Sequence, residues 1–272
     1  MGKVFVIDLS MCNGCYNCQL ACKDEHVFND WAPYAAPQPE QGQFWIGVEQ
    51  ETCGSVPKVR INYTPALCNH CEKAPCIAAG KNGAVYRRED GLVIIDPVKA
   101  KGQKKIAASC PYGKIFWNKE LELPQKCTGC AHLLDNGYEM PRCVEACPTR
   151  AIKFGDREEL ADDILGADVL RPEEGLHPAV FYRNRPGQFI GGLVYDPEEK
   201  EVIIGAKVRL VTGAKVRETF TDDYGDFWFN DLPVGKYDMY IEAEGFKRKI
   251  FEGLWTKVCV NLGDIPMEKL TE

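Results

Sequence analysis

Cysteine is the residue most able to do chemistry in this chain. There are fourteen, and twelve fall into spaced groups. The first group is Cys12-x2-Cys15-x2-Cys18-x3-Cys22. A second reads Cys68-x2-Cys71-x4-Cys76, with an isolated Cys110-Pro111 further on. The third is Cys127-x2-Cys130-x12-Cys143-x3-Cys147-Pro148. Thiolates two or three residues apart converge on one centre, which suits metal ligation. Disulfide frameworks belong to short secreted chains with more scattered cysteines. Four cysteines within eleven residues crowd a single zinc ion but wrap naturally around the corners of a [4Fe-4S] cubane. Zinc held by four cysteines, or by three together with His70, is the competing reading.

The first group is the run found in bacterial ferredoxins, whose fourth cysteine ligates the neighbouring cluster. Lys23 stands where the usual proline would follow. Under that crossing rule, Cys12, Cys15 and Cys18 go with Cys147, and Cys127, Cys130 and Cys143 go with Cys22. The remaining set is Cys68, Cys71, Cys76 and Cys110. Purely local pairing is the alternative, and both schemes give three clusters. Aligning Ile7-Asp8 with Ile95-Asp96, an offset of 88, places Ala100, Gln103, Ile106 and Cys110 on the four cysteines of the first group. Gly80 stands where the second group's fourth cysteine would fall. The frame is therefore one of four motifs, and the four missing ligands all belong to one discarded cluster. His70 and Lys126 adjoin ligands, where they either tune a cluster or serve as plain surface residues. Cys53, in the long insert after the first group, reads as a bystander, and Cys259 as a small buried hydrophobe.

The elements that carry these groups are short. Ala84–Arg88 and Leu92–Asp96 flank Asp90-Gly91, a hairpin signal. Asp96-Pro97 reads as the start of a helix over Asp96–Ser109. Ala151–Phe154 reads as a strand after the last cysteine loop. Residues 156–187 are rich in charge and read as a linker with one helix near Glu158–Leu165. Beyond Gln188 the pattern alternates with period two: Ala206, Val208 and Leu210, then Phe227 and Phe229, then Tyr237, Met239 and Ile241. The expected architecture is α+β. Tandem ferredoxin-like modules span 1–155, a linker 156–187, and an all-β sandwich 188–272. The strings Thr221-Asp222-x-x-Gly225-x-Phe227 and Leu232-x-x-Gly235-x-Tyr237 resemble the carboxypeptidase-regulatory-like (transthyretin or Cna-B) sandwich, which implies a fold and no activity.

Charge and hydropathy exclude other classes. The formal net charge is −7, wrong for a chain that neutralises nucleic-acid phosphates. Asp8 interrupts the N-terminal apolar run before signal-peptide length, and nothing approaches the roughly twenty apolar residues of a membrane span. The expectation is a cytoplasmic chain without direct membrane insertion. Co-export bound to a partner stays open. No Ser/His/Asp set, phosphate-binding glycine loop or persuasive carboxylate pair is present, so no catalytic residue is assigned.

The order of four ferredoxin-type motifs resembles the electron-transfer subunits of the DMSO-reductase family of molybdenum and tungsten enzymes. Several strings narrow the resemblance to the small subunits of the pyrogallol–phloroglucinol transhydroxylase branch. They are Cys22-x-Asp24-Glu25-His26, Asn29-Asp30-Trp31, Cys68-x-His70-Cys71-Glu72, Cys110-Pro111-Tyr112-Gly113 and Gln125-Lys126-Cys127-Thr128-x-Cys130-Ala131-His132. The resemblance implies a large catalytic partner that holds a Mo or W bis-pterin guanine dinucleotide (bis-MGD), in a heterodimer or higher oligomer acting on polyhydroxylated aromatics. Cys147-Pro148-Thr149-Arg150 departs toward the general ferredoxin ending, which widens the reaction to hydroxylase or dehydroxylase. An electron-transfer subunit of another respiratory oxidoreductase of that family is the alternative.

Overall fold

A computed structural model describes residues 2–270 of the 272-residue chain. The chain forms two compact units. One comprises residues 1–50 and 63–185, the other residues 51–62 and 186–272.

In the first unit the strand Lys3–Asp8 is the centre of a three-stranded sheet. Ile152–Asp156 pairs antiparallel with it (Phe5 opposite Phe154), and Val180–Arg183 pairs parallel (Phe5 opposite Val180). Val4, Phe5, Val6 and Ile7 are all buried. A strand with an unbroken apolar run is covered on both faces. Phe5 and Ile7 face the core that holds Cys18, Cys22, Cys68, Cys127 and Cys143. Val4 and Val6 face the opposite way, onto Phe181, Leu160, Ile164, Ala167 and Val169. The segment 156–187 is therefore no open linker, since its spaced apolar residues roof the sheet and its end supplies a strand. Its helix is shorter than expected, Ala161–Ile164.

The hairpin around Asp90-Gly91 forms as expected, with Val85–Arg87 against Val93–Ile95. Asp90 Oδ1 accepts the Leu92 N–H at 3.0 Å and closes the turn. The helix expected over Asp96–Ser109 shrinks to Lys104–Ala108. Asp96 Oδ1 does accept the N–H groups of Val98 and Lys99, both at 3.0 Å. Gly102 N–H, however, donates sideways to Glu122 O at 2.7 Å, out of the helical ladder. Only turns precede it.

The second unit is a β-sandwich. In one sheet Gln188–Asp196 lies between Asp226–Leu232 and Val260–Pro266. The other sheet runs Lys215–Phe220, Lys207–Thr212, Lys236–Glu242, Lys249–Trp255. The residues picked out by alternation, Ala206, Val208, Leu210, Phe227, Phe229, Tyr237, Met239 and Ile241, are buried in a single cluster. Residues 51–62, the end of a hairpin made by Ile46–Ser55 and Lys58–Leu67, count with this unit. Lys58 there is 4% exposed and ion-paired with Asp226.

Candidate metal centres

The helix Asn17–His26 sets out two thiols on one side, one turn apart. Cys18 and Cys22 are related as i and i+4, about 6 Å along the axis. Cys18 turns to the loop before it. Cys12, Cys15, Cys18 and Cys147 line one small cavity, walled also by Val48, Pro65 and Ile152. The loop needs Gly14, whose φ is +71° and where a Cβ would stand 2.4 Å from the Tyr63 ring. Burial and then the neighbouring thiols push Cys18 up to about 12. Cys147 goes the other way. Burial opposes ionisation, but hydrogen bonds from the Thr149 hydroxyl and the N–H groups of Ile152 and Ala151 hold the thiol below its usual range.

Cys68, Cys71, Cys76 and Cys110 line a second small cavity. Cys76 sits on the short helix Pro75–Ala79. Burial and mutual repulsion raise Cys71 to about 12. Burial raises Cys76 to about 11. Cys22, Cys127, Cys130 and Cys143 form the third set. All four are buried. Burial lifts Cys127 to about 11 and Cys130 to about 12, and it lifts Cys22 and Cys143 well above a free thiol. Cys22 feels Cys127 and Cys130, and Cys143 feels Cys130, Cys22 and Cys127. Two cavities thus gather four thiols each, and the remaining four lie within electrostatic reach of one another. The third set is central, since Cys22 and Cys143 also feel Cys18 while Cys127 feels Cys68.

Thiols this hard to ionise await a strong counter-charge, and a coordinating metal deprotonates them outright. No group of three or more His, Cys, Asp or Glu among the described residues is set to hold a single metal ion. Zinc, with bonds of ~2.3 Å, needs its sulfurs about 4 Å apart. A cubane is a larger body that spreads them wider. The discarded fourth position is packed shut. Ala100 and Ile106 are fully buried among Val85, Val93, Ile95 and Ile115. The Gln103 amide donates to Lys99 O, and a Cβ on Gly80 would meet Val85 Cγ2 at 2.9 Å.

Side chains around the sets are more buried than the sequence implied. His70 and Lys126 are each 2% exposed, which removes the surface reading for both. Lys126 Nζ donates to the Val93 and Cys127 carbonyls. His70 Nδ1 accepts the Val93 N–H at 3.0 Å. His26 lies beside the third set, its Nε2 4.0 Å from Cys130 Sγ, and burial lowers it to about 3. His132 stacks on Trp31 and meets Glu25 Oε1 at 3.0 Å. Asn69 and Tyr112 line the second cavity, a place that sequence does not betray, because polar residues beside ligands look like loop surface. Cys53 and Cys259 join none of the three sets. Both lie in the second unit against Phe189, with their Sγ atoms 3.9 and 3.1 Å from Gln188 Oε1.

A 4Fe-4S dicluster domain matches residues 59–157, and a carboxypeptidase regulatory-like domain matches residues 190–258. The pyrogallol hydroxytransferase small subunit of Pelobacter acidigallici is 42% identical over 252 residues, spanning 88% of this chain and 90% of the relative. The chain belongs to the iron–sulfur subunits of the DMSO-reductase-family molybdopterin enzymes. Further similarities within this family are to a tetrathionate reductase subunit of Salmonella typhimurium (33%, 70% of this chain, 75% of the relative) and the probable anaerobic dimethyl sulfoxide reductase chain YnfG of Escherichia coli K12 (38%, 72% and 97%). As a member, the chain is a 4Fe-4S electron-transfer subunit that works with a larger catalytic partner. Among the described residues no helix is long and apolar enough to cross a membrane.

Proposed function

We propose that this subunit holds three [4Fe-4S] clusters and exchanges electrons with a Mo or W bis-MGD catalytic subunit that acts on polyhydroxylated aromatics. Twelve thiols in three sets of four carry the proposal, eleven of them buried or half-buried and Cys15 exposed. The assigned ligands are Cys12, Cys15, Cys18 and Cys147; Cys68, Cys71, Cys76 and Cys110; and Cys22, Cys127, Cys130 and Cys143. Bound clusters supply one-electron redox chemistry. The chain supplies spacing, insulation and potential. The third set bridges the other two, so the arrangement reads as a line with Cys15 at its exposed end. Residues 1–155 would be the functional cluster domain, completed by the roof at 156–187, and 188–272 a docking module. A cytoplasmic heterodimer, or a higher oligomer built from it, is the proposed form.

Membership of another respiratory oxidoreductase is the second reading, favoured by the identity to the tetrathionate reductase protein and to YnfG. Those matches cover 70% and 72% of the chain. The hydroxytransferase match covers 88% and therefore favours the aromatic reading. The test is to co-purify the complex anaerobically, add a trihydroxybenzene, and follow the cluster EPR signals in rapidly frozen samples. Cluster oxidation state should change within the first turnovers. Product formation with every cluster signal static would overturn the relay role.

A further inference from the structure

The second thiol set differs from the first in what else lines its cavity. Beside the four cysteines stand the Asn69 side chain, the His70 ring and Tyr112. Both amide atoms of Asn69, Nε2 of His70 and the Tyr112 hydroxyl are buried without a hydrogen-bond partner. Leaving such a group stranded is costly, and folded interiors leave few. Three of these atoms can donate, Asn69 Nδ2, His70 Nε2 and the Tyr112 hydroxyl, and their residues line one cavity in which a cluster sulfur would be the acceptor. The proton on His70 is located by its other nitrogen. Nδ1 accepts the Val93 N–H at 3.0 Å, so the neutral ring carries its hydrogen on Nε2.

The first cavity lacks this feature. Its polar side chains are engaged within the protein. Asn13 Oδ1 accepts the Cys15 N–H at 3.2 Å, the Tyr16 hydroxyl meets Gln50 Oε1 at 3.4 Å, and Thr149 Oγ1 lies 3.6 Å from Cys147 Sγ. Near the third set Thr128 Oγ1 and one nitrogen each of His26 and His132 are unpartnered. Thr128 lines a different cavity, with Tyr34 and Trp45.

Resting on the three-cluster reading, we propose that Asn69, His70 and Tyr112 donate hydrogen bonds to the sulfurs of a cluster at Cys68, Cys71, Cys76 and Cys110. They thereby raise its reduction potential. Reduction adds negative charge to the sulfurs. Donors aimed at them stabilise the reduced state, and hydrogen bonds to sulfur are among the levers that set cluster potentials. The three are positioning residues for electrons.

The test is an EPR-monitored redox titration of the anaerobically purified complex, as wild type, Tyr112→Phe, His70→Phe and the double variant. Tyr112→Phe removes only a hydroxyl, so it keeps the question decidable if His70→Phe loses iron. With iron content unchanged, one cluster signal should titrate lower. The shift should be about tenfold in its reduced-to-oxidised ratio per residue, which is ~59 mV for one electron. It should be larger in the double variant, with the other signals unmoved. His70→Gln, which retains an N–H donor, should restore part of the shift. All signals unmoved in iron-replete variants, or all moved together, would overturn the proposal. A wild-type complex without iron would instead defeat the three-cluster reading.

Discussion

The ligand loops depend on single residues that are not ligands. Gly14 takes φ +71° between Cys12 and Cys15 and leaves no room for a Cβ against Tyr63. Gly14→Ala should therefore displace the loop and cost one cluster, about four irons per chain, with the other two retained. Iron and sulfide assays with EPR spin counting check this. Full iron content in the variant would show that the loop yields. Cys53→Ala with Cys259→Ala makes the opposite case. Both residues lie apart from the three sets, so the double variant should keep its full iron content while losing part of the packing around Phe189. Loss of a whole cluster in it would contradict the ligand assignment. The proposed ligands could be read from sequence because ligation demands fixed spacing. The partners Asn69 and Tyr112 were not, since a hydrogen bond to a sulfur leaves no spacing rule behind.

Elements in this chain are short, and their stability comes from what covers them. The strand Lys3–Asp8 reads as apolar in sequence, and its neighbour at Ala151–Phe154 was visible after the last cysteine loop. Its parallel partner Val180–Arg183 was not, because the segment leading to it is highly charged and its apolar residues are widely spaced. Leu160, Ile164, Ala167 and Val169 show their purpose only when folded over Val4 and Val6. Tyr182 pins this strand further. It is 1% exposed, and its hydroxyl donates to Pro65 O at 3.1 Å. Tyr182→Phe should lower unfolding stability by ~0.5–1.5 kcal/mol in denaturant titrations and leave iron content unchanged. An unchanged midpoint would mean that the hydroxyl contributes nothing. The sandwich strands were the easiest to read, because period-two alternation maps directly onto an inner and an outer face. The allotment of residues 51–62 to the second unit was hidden, since Lys58 finds Asp226 only across a long stretch of chain.

For the whole molecule the central claim is a count. The position that the four-motif reading leaves without ligands is occupied by Ala100, Ile106 and their apolar neighbours, and a Cβ on Gly80 would meet Val85. Three sets of four thiols remain, and the buried set lies within electrostatic reach of the other two. Under the proposed function these sets store and pass single electrons beside the catalytic partner. The most direct measurement is the iron and acid-labile sulfide content of the complex purified without oxygen, corrected for metal on the partner. The expected result is roughly twelve irons and twelve sulfides per chain. About eight of each, or zinc in place of iron, would contradict it.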